Sequence, residues 1–155
     1  MLEAGSVSKQ FTAGAVLLLA QQGKLSLDDP VRKYLPELPD HAAGVTIRQM
    51  LHHTSGLRDW GSVAAIGGWP RTSRAYTHAH VLEIVARQKA LNYAPGALYS
   101  YSNTGYNLAA ILVSRVAGKP FAEFTREAIF RPLGMQATEW RDDFRRIVPR
   151  RAVAY

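Results

Sequence analysis

The 155-residue chain contains no cysteine, which excludes disulfides, thiolate metal sites and cysteine nucleophiles and leaves the redox compartment open. Long apolar runs are also missing. The longest strongly apolar stretch, Ala13 to Ala20, falls far short of the roughly 20 residues that a membrane-spanning helix needs, so no transmembrane segment is expected and the stretch reads as a buried helix. The opening Met1-Leu2-Glu3-Ala4-Gly5 has neither a basic segment nor an apolar signal core, and export cannot be read from it. Almost no stretch alternates apolar and polar residues as a half-exposed strand does, and no internal repeat is visible.

Acidic residues are the minority charge, 12 against 19 Lys and Arg, for a net +7. Much of the excess sits in the tail as Arg141, Arg145, Arg146, Arg150 and Arg151, which raises the question of a nucleic-acid surface. The tail is interrupted by Asp142, Asp143, Ile147 and Pro149 and carries no groove-reading or base-stacking motif. Its charges are therefore read as mostly solvated, with no nucleic-acid partner.

With 47% hydrophobic and 20% charged residues, the composition is that of one soluble globular domain. Phe11, Ala15, Val16, Leu18 and Leu19 mark a broad apolar helix from Ser8 to Gln22, with Gly23 suited to the position after its end. A proline-bearing linker follows, in which Asp29-Pro30 can start a short turn and Leu25, Leu27, Val31 and Leu35 anchor it. Thr46-Ile47-Arg48-Gln49 has the spacing of a capping box, with Ile47, Met50 and Leu51 as its buried stripe. The stretch from His53 to Tyr76 lacks a sustained period and reads as one long loop. Thr77 caps a helix running to about Lys89. A second, from Thr104 to Ala117, is closed by Gly118, and a third runs from Pro120 through Phe130. The chain is expected to be mostly helical.

Ser6-Val7-Ser8-Lys9 is an S-x-x-K, which on a helix sets hydroxyl and amine on one face a turn apart. A chain of this length shows about half of one such match by chance, so position matters more than the pattern. Gly5 precedes the serine and the buried helix follows at once, putting the hydroxyl at a helix N-terminus, where free N–H groups and the dipole favour developing negative charge. Taken alone, Ser6 reads first as a helix cap. Tyr101-Ser102-Asn103 follows Pro95-Gly96 in a turn before another buried helix; Asn103 and Thr104 could be caps and Tyr99 and Tyr101 packing residues.

Together these pieces resemble one family strongly: penicillin-recognising serine hydrolases of the class C β-lactamase kind, with D-alanyl-D-alanine peptidases and similar esterases. The resemblance covers essentially the whole chain. It rests on Gly5-Ser6-Val7-Ser8-Lys9-Gln10-Phe11-Thr12, Gly23-Lys24-Leu25-Ser26-Leu27-Asp28-Asp29-Pro30, Leu51-His52-His53-Thr54-Ser55-Gly56-Leu57, Tyr101-Ser102-Asn103-Thr104-Gly105-Tyr106 and Pro132-Leu133-Gly134-Met135, all in family order. In the related class A enzymes S-x-x-K accompanies S-D-N and K-T-G; in the class C type a tyrosine motif replaces S-D-N.

The resemblance implies that Ser6 attacks a carbonyl to give an acyl-enzyme, that Lys9 and Tyr101 move its proton, and that Asn103 orients Lys9 and binds the substrate amide. The Ser6 backbone N–H would be one oxyanion donor. A serine hydroxyl needs a neighbour to take its proton, and a tyrosine can do so once positive charge lowers its pKa, which Lys9 is placed to do. No cofactor or metal is required. His52-His53 and His78-x-His80 have no supporting carboxylate at metalloenzyme spacing; the loop His53-Thr54-Ser55-Gly56 has structural character within the resemblance, and His78 and His80 belong to a helix start.

The implied fold is the α/β serine β-lactamase, penicillin-binding, transpeptidase-like fold. Its third element, Lys or His then Ser or Thr then Gly, is absent after Tyr101, as are strands before the serine. Residues 1–155 are thus expected to form a partial beta-lactamase-related serine hydrolase domain with most of the antiparallel sheet missing, weak or inactive by itself. The first helix and residues 104–117 would then keep uncovered apolar faces through which copies self-associate. Substrates implied are β-lactams, D-alanyl or peptidoglycan-like peptides and carboxylic esters, and the whole protein would be periplasmic or secreted. The rival reading is a non-catalytic scaffold or binding protein of the same fold.

Overall fold

The structure, a computed structural model, describes residues 2–69, 75–143, 145–149, 151 and 152. These residues are helical and contain no named strand; their only sheet-like pairing is an isolated antiparallel bridge between Pro30 and Thr46. Six α-helices follow in order: α1 (Lys9–Gln21), α2 (Ile47–Leu51), α3 (Trp60–Ile66), α4 (His78–Ala86), α5 (Asn103–Ala117) and α6 (Phe121–Thr125).

α5 is the axis of the molecule and packs against each of the other five. Its sequence allows this because Leu108, Ala109, Leu112 and Val113 recur at helical spacing and are fully buried. Small residues then set how closely neighbours approach. A Cβ at Gly105 would lie 2.8 Å from the Met50 carbonyl oxygen, so the glycine is what lets α2 sit on the first turn of α5. Around this axis, Val16 and Leu19 of α1, Ile47 and Met50 of α2, and Val81 and Val85 of α4 complete one core. Burying each such side chain contributes about 1.5–3 kcal/mol.

The linker after α1 lies on the core through Leu25, Val31 and Leu35, with a 3-10 turn at Val31–Lys33. The Thr46 box forms as its spacing predicts, the threonine oxygen accepting from the Gln49 N–H at 3.2 Å while the Gln49 amide oxygen accepts from the Thr46 N–H at 3.0 Å. Thr77 and His80 form a second box at the start of α4.

Three expectations need correction. The stretch from His53 to Tyr76 is not one loop: α3 interrupts it, capped by Asp59, whose Oδ1 accepts from the Ser62 N–H at 3.0 Å. Residues 70–74 of that stretch lie outside the described residues. The helix expected from Pro120 to Phe130 changes pitch, α6 giving way to a π-helical turn at Arg126–Phe130. The apolar face of residues 104–117 is largely covered, as the burial of α5 shows, whereas α1 keeps an open apolar strip, with Leu17 51% exposed beside Leu133 at 68%. The described tail cations are solvent-exposed, as expected, and form surface ion pairs. Arg145 meets Asp143, Arg146 meets Glu139, and Arg141 and Arg151 meet Glu3; Arg150 lies outside the described residues.

No helix among the described residues is long and apolar enough to cross a membrane.

Candidate active site

Gly5 turns the chain into the site at φ +51°, a left-handed conformation that glycine adopts without the cost a side chain would bring. A 3-10 turn, Gly5–Ser8, then runs straight into α1. Ser6 is thus on the lead-in turn and Lys9 is the first α-helical residue, a small displacement from the expected helix start at Ser6. The three-residue spacing still stacks the two side chains, and the Lys9 ammonium donates to Ser6 Oγ at 2.9 Å.

The second arm comes from the segment before α5. Ser102, one residue earlier than expected, is the N-cap of α5, its Oγ accepting from the Thr104 N–H at 3.1 Å. This cap leaves Tyr101 on extended chain and Asn103 on the first turn, both facing α1. Tyr101 Oη shares a 2.6 Å hydrogen bond with Ser6 Oγ and accepts another of 2.6 Å from Lys9. The Asn103 Oδ1 accepts from Lys9 at 3.0 Å. An ammonium has three N–H donors, and Lys9 directs them to Ser6, Tyr101 and Asn103.

Asp59 fixes that asparagine. Its Oδ2 accepts from the Asn103 backbone N–H at 2.8 Å and from the side-chain Nδ2 at 3.3 Å, which leaves the amide oxygen turned toward Lys9. Burial is the largest single influence on the Asp59 carboxyl and would raise its pKa, but the hydrogen bonds from Asn103 and Ser62 together hold it below the usual carboxylate range. Thr104 ties the same corner, donating to the Arg58 carbonyl at 2.7 Å and accepting from the Trp60 N–H at 2.8 Å.

The electrostatics centre on Tyr101. Its phenol is held below the ordinary tyrosine pKa, first by the hydrogen bond from Lys9 and next by that from Ser6. The Lys9 ammonium also faces the rings of Tyr101 and Tyr106, at 4.9 and 5.6 Å from their centroids. A phenolate beside a serine hydroxyl, with a cation stabilising it, is equipped to remove the hydroxyl proton.

All four side chains named from the sequence, Ser6, Lys9, Tyr101 and Asn103, therefore share one hydrogen-bonded cluster. A cleft of about 680 Å³ opens on the neighbouring Gly5, Val7 and Ser8 but is not lined by any of the four. The histidines lie elsewhere in role: His80 Nδ1 accepts from the Thr77 N–H at 3.1 Å in the α4 box, and His53 packs between Tyr101 and Tyr106. Among the described residues no group of three or more His, Cys, Asp or Glu could hold a metal ion.

Sequence reasoning missed Asp59. The available signal was local: an Asp three residues before a Ser, ahead of the apolar Trp60, is an N-cap pattern. Its reach to Asn103 spans 44 residues and leaves no local trace.

Comparison with known proteins places this cluster in context. The family model described as Beta-lactamase matches residues 1–155. The chain is 34% identical over 156 residues to penicillin-binding protein 4* of Bacillus subtilis, covering 100% of this chain and 33% of that protein. It is 31% identical to a D-aminopeptidase of Cereibacter sphaeroides, covering 90% of this chain and 26% of the relative. Among solved structures, the D-amino acid amidase from Ochrobactrum anthropi SV3 complexed with L-phenylalanine amide superposes with a TM-score of 0.74 at 32% identity, over 87% of this chain and 37% of that one. The chain thus spans about a third or less of the curated relatives' length.

Proposed function

The chain belongs to the beta-lactamase family, and on that premise we propose that it carries the nucleophile of a serine hydrolase that forms an acyl-enzyme on Ser6. The observation that carries this reading is the position of Ser6 Oγ, 2.6 Å from Tyr101 Oη and 2.9 Å from Lys9 Nζ. In this mechanism the Tyr101 phenolate, stabilised by Lys9, takes the Ser6 proton as Oγ attacks the carbonyl. The proton then passes to the leaving group as the tetrahedral intermediate collapses, and water repeats the sequence on the acyl-enzyme. Asn103 holds Lys9 and offers its amide to the substrate.

Acyl donors of the β-lactam, D-alanyl peptide and carboxylic ester classes fit this chemistry. The names of the relatives, a penicillin-binding protein, a D-aminopeptidase and a D-amino acid amidase, favour amides of D-configured residues as the first substrates to try. One oxyanion donor in this reading is the Ser6 N–H. A second donor and the sheet that bears it belong, in the same proposal, to chain outside these 155 residues, and losing one such donor costs about 10²–10³ in turnover.

The test is intact-mass and peptide mass spectrometry after treatment with a fluorophosphonate. A single adduct on Ser6, absent in Ser6→Ala, is the expected result. An adduct on Ser55 or Ser102 instead would overturn the assignment.

A further inference from the structure

His53 has the only positive φ, +59°, of any non-glycine among the described residues. Side chains are seldom held there unless the surroundings over-determine the position, and such residues gather at working sites. The surroundings of His53 bracket Tyr101. Its carbonyl accepts from the Ser100 N–H at 2.9 Å, and its Nδ1 accepts from the Ser102 N–H at 3.3 Å. Between those two attachments the imidazole lies on the Tyr101 ring, centroids 4.6 Å apart. Tyr106 also packs on the imidazole, at 5.3 Å, and is itself fixed by donating to the Leu51 carbonyl at 3.0 Å.

We propose that His53 is a positioning residue for Ser6 acylation, clamping the chain on both sides of Tyr101 so that the phenol oxygen stays against Lys9, and that it clamps only as the neutral imidazole. The proposal rests on the reading of Ser6 as nucleophile given above. Because Nδ1 accepts from Ser102, the neutral ring carries its proton on Nε2. Protonation would set an Nδ1–H against the Ser102 N–H and break the clamp.

The titratable groups facing the ring are Lys9 from α1, Tyr99 and Tyr101 from the segment before α5, and Tyr106 from α5; the Tyr93 hydroxyl donates to the His53 carbonyl at 3.4 Å. No carboxylate is among these partners to favour the imidazolium. Burial first, and Lys9 second, hold the His53 pKa below its usual value, and the bond that Nδ1 accepts from the Ser102 N–H favours the neutral ring as well. Its folded-state pKa being lowered, the clamp is intact above that value and is lost as pH falls through it.

His53→Gly separates this role from simple packing, since glycine is at ease at φ +59° while the ring and the Nδ1 acceptor are removed. The expected result is a folded variant whose Ser6 reacts with a fluorophosphonate about 10- to 100-fold more slowly, the range that displacement of a positioned group produces. Its rate profile should also lack the fall at acid pH that is expected of the parent as His53 takes up a proton. His53→Asn, which also tolerates positive φ and can offer Oδ1 to the Ser102 N–H, should recover part of the rate without restoring the pH dependence.

A second measurement needs neither variant nor turnover: the Tyr101 ring carbon resonances of the unaltered protein should shift with the same pH midpoint as the His53 imidazole. Variants that label at the parent rate with the parent pH profile, or Tyr101 resonances blind to the His53 titration, overturn the proposal. Failure of the unaltered protein to label on Ser6 would sink the nucleophile reading instead, and the resonance titration would then decide the clamp.

Discussion

Replacing Tyr101 by Phe tests the proposed chemistry at a single atom. The ring keeps its place on His53 and under the Lys9 ammonium, while both 2.6 Å hydrogen bonds of Oη, to Ser6 and from Lys9, are lost. Tyr101 is 47% exposed, so water can replace the missing oxygen and no buried donor is stranded. Stability should move by no more than about 0.5–1 kcal/mol. Acylation should move far more, because general-base assistance is worth about 10²–10⁴-fold, or roughly 2.7–5.4 kcal/mol of barrier at 1.36 kcal/mol per decade. The assay is the time course of the fluorophosphonate adduct by intact mass across pH 6 to 10, with a thermal melt beside it. In the parent the rate should rise as pH passes through the lowered Tyr101 pKa, since the phenolate is the base; the variant should lack that rise. If Tyr101→Phe labels within about threefold of the parent, far inside the expected range, the phenol is not the proton acceptor and the mechanism written here is wrong.

Lys9→Met removes the first cause of the lowered Tyr101 pKa, so the rise in rate should move to higher pH, with labelling near pH 7 about 10²–10⁴-fold slower; an unmoved profile would show that Lys9 does not tune the phenol. Asp59→Ala removes the α3 cap and the anchor of Asn103, and a chemical denaturation curve should report a loss of about 0.5–2 kcal/mol. Asp59→Asn, which keeps a capping oxygen, should lose less stability yet still slow Ser6 labelling; equal rates in parent and variant would separate Asp59 from the site. Gly105→Ala gains about 1 kcal/mol of helix propensity but places a Cβ 2.8 Å from the Met50 oxygen and 3.2 Å from its Cα, where overpacking costs about 1–3 kcal/mol. Its melting temperature should fall, and a rise would mean that α2 yields more readily than its backbone contact implies.

Local signals carried most of the helical layer and little of what joins it. α1, α4 and α5 announce themselves because their apolar residues recur at helical spacing, and Gly118 closes α5 at φ +67°. α3 was hidden: Gly61, Ser62, Gly67 and Gly68 dilute its pattern, and of its seven residues only Trp60, Gly61 and Ala64 are buried. The pairing of Ser6 with Lys9 is legible because it depends on a three-residue spacing. The approach of Tyr101 and Asn103 was legible only through resemblance, since it depends on how α1 and α5 pack across more than ninety residues. The left-handed turn at His53 was not legible, because histidine, though enriched there among non-glycine residues, still takes positive φ too rarely for it to be inferred.

The link from Asp59 to Asn103 bears on how Lys9 is held against Tyr101. One carboxylate serves two helix starts, accepting from Ser62 in α3 and from Asn103 in α5. Because it also accepts from Asn103 Nδ2, the amide is fixed with its oxygen toward Lys9, and an amide oxygen can only accept. The lysine must therefore donate in that direction. In the mechanism proposed above, the same lysine donates to Tyr101 at 2.6 Å and lowers the phenol's pKa, which suits the tyrosine to the role of base. In the proposed mechanism a helix cap more than forty residues upstream thus helps to hold Lys9 against Tyr101, and the orientation of the Asn103 amide links the α3 cap to the cluster at Ser6.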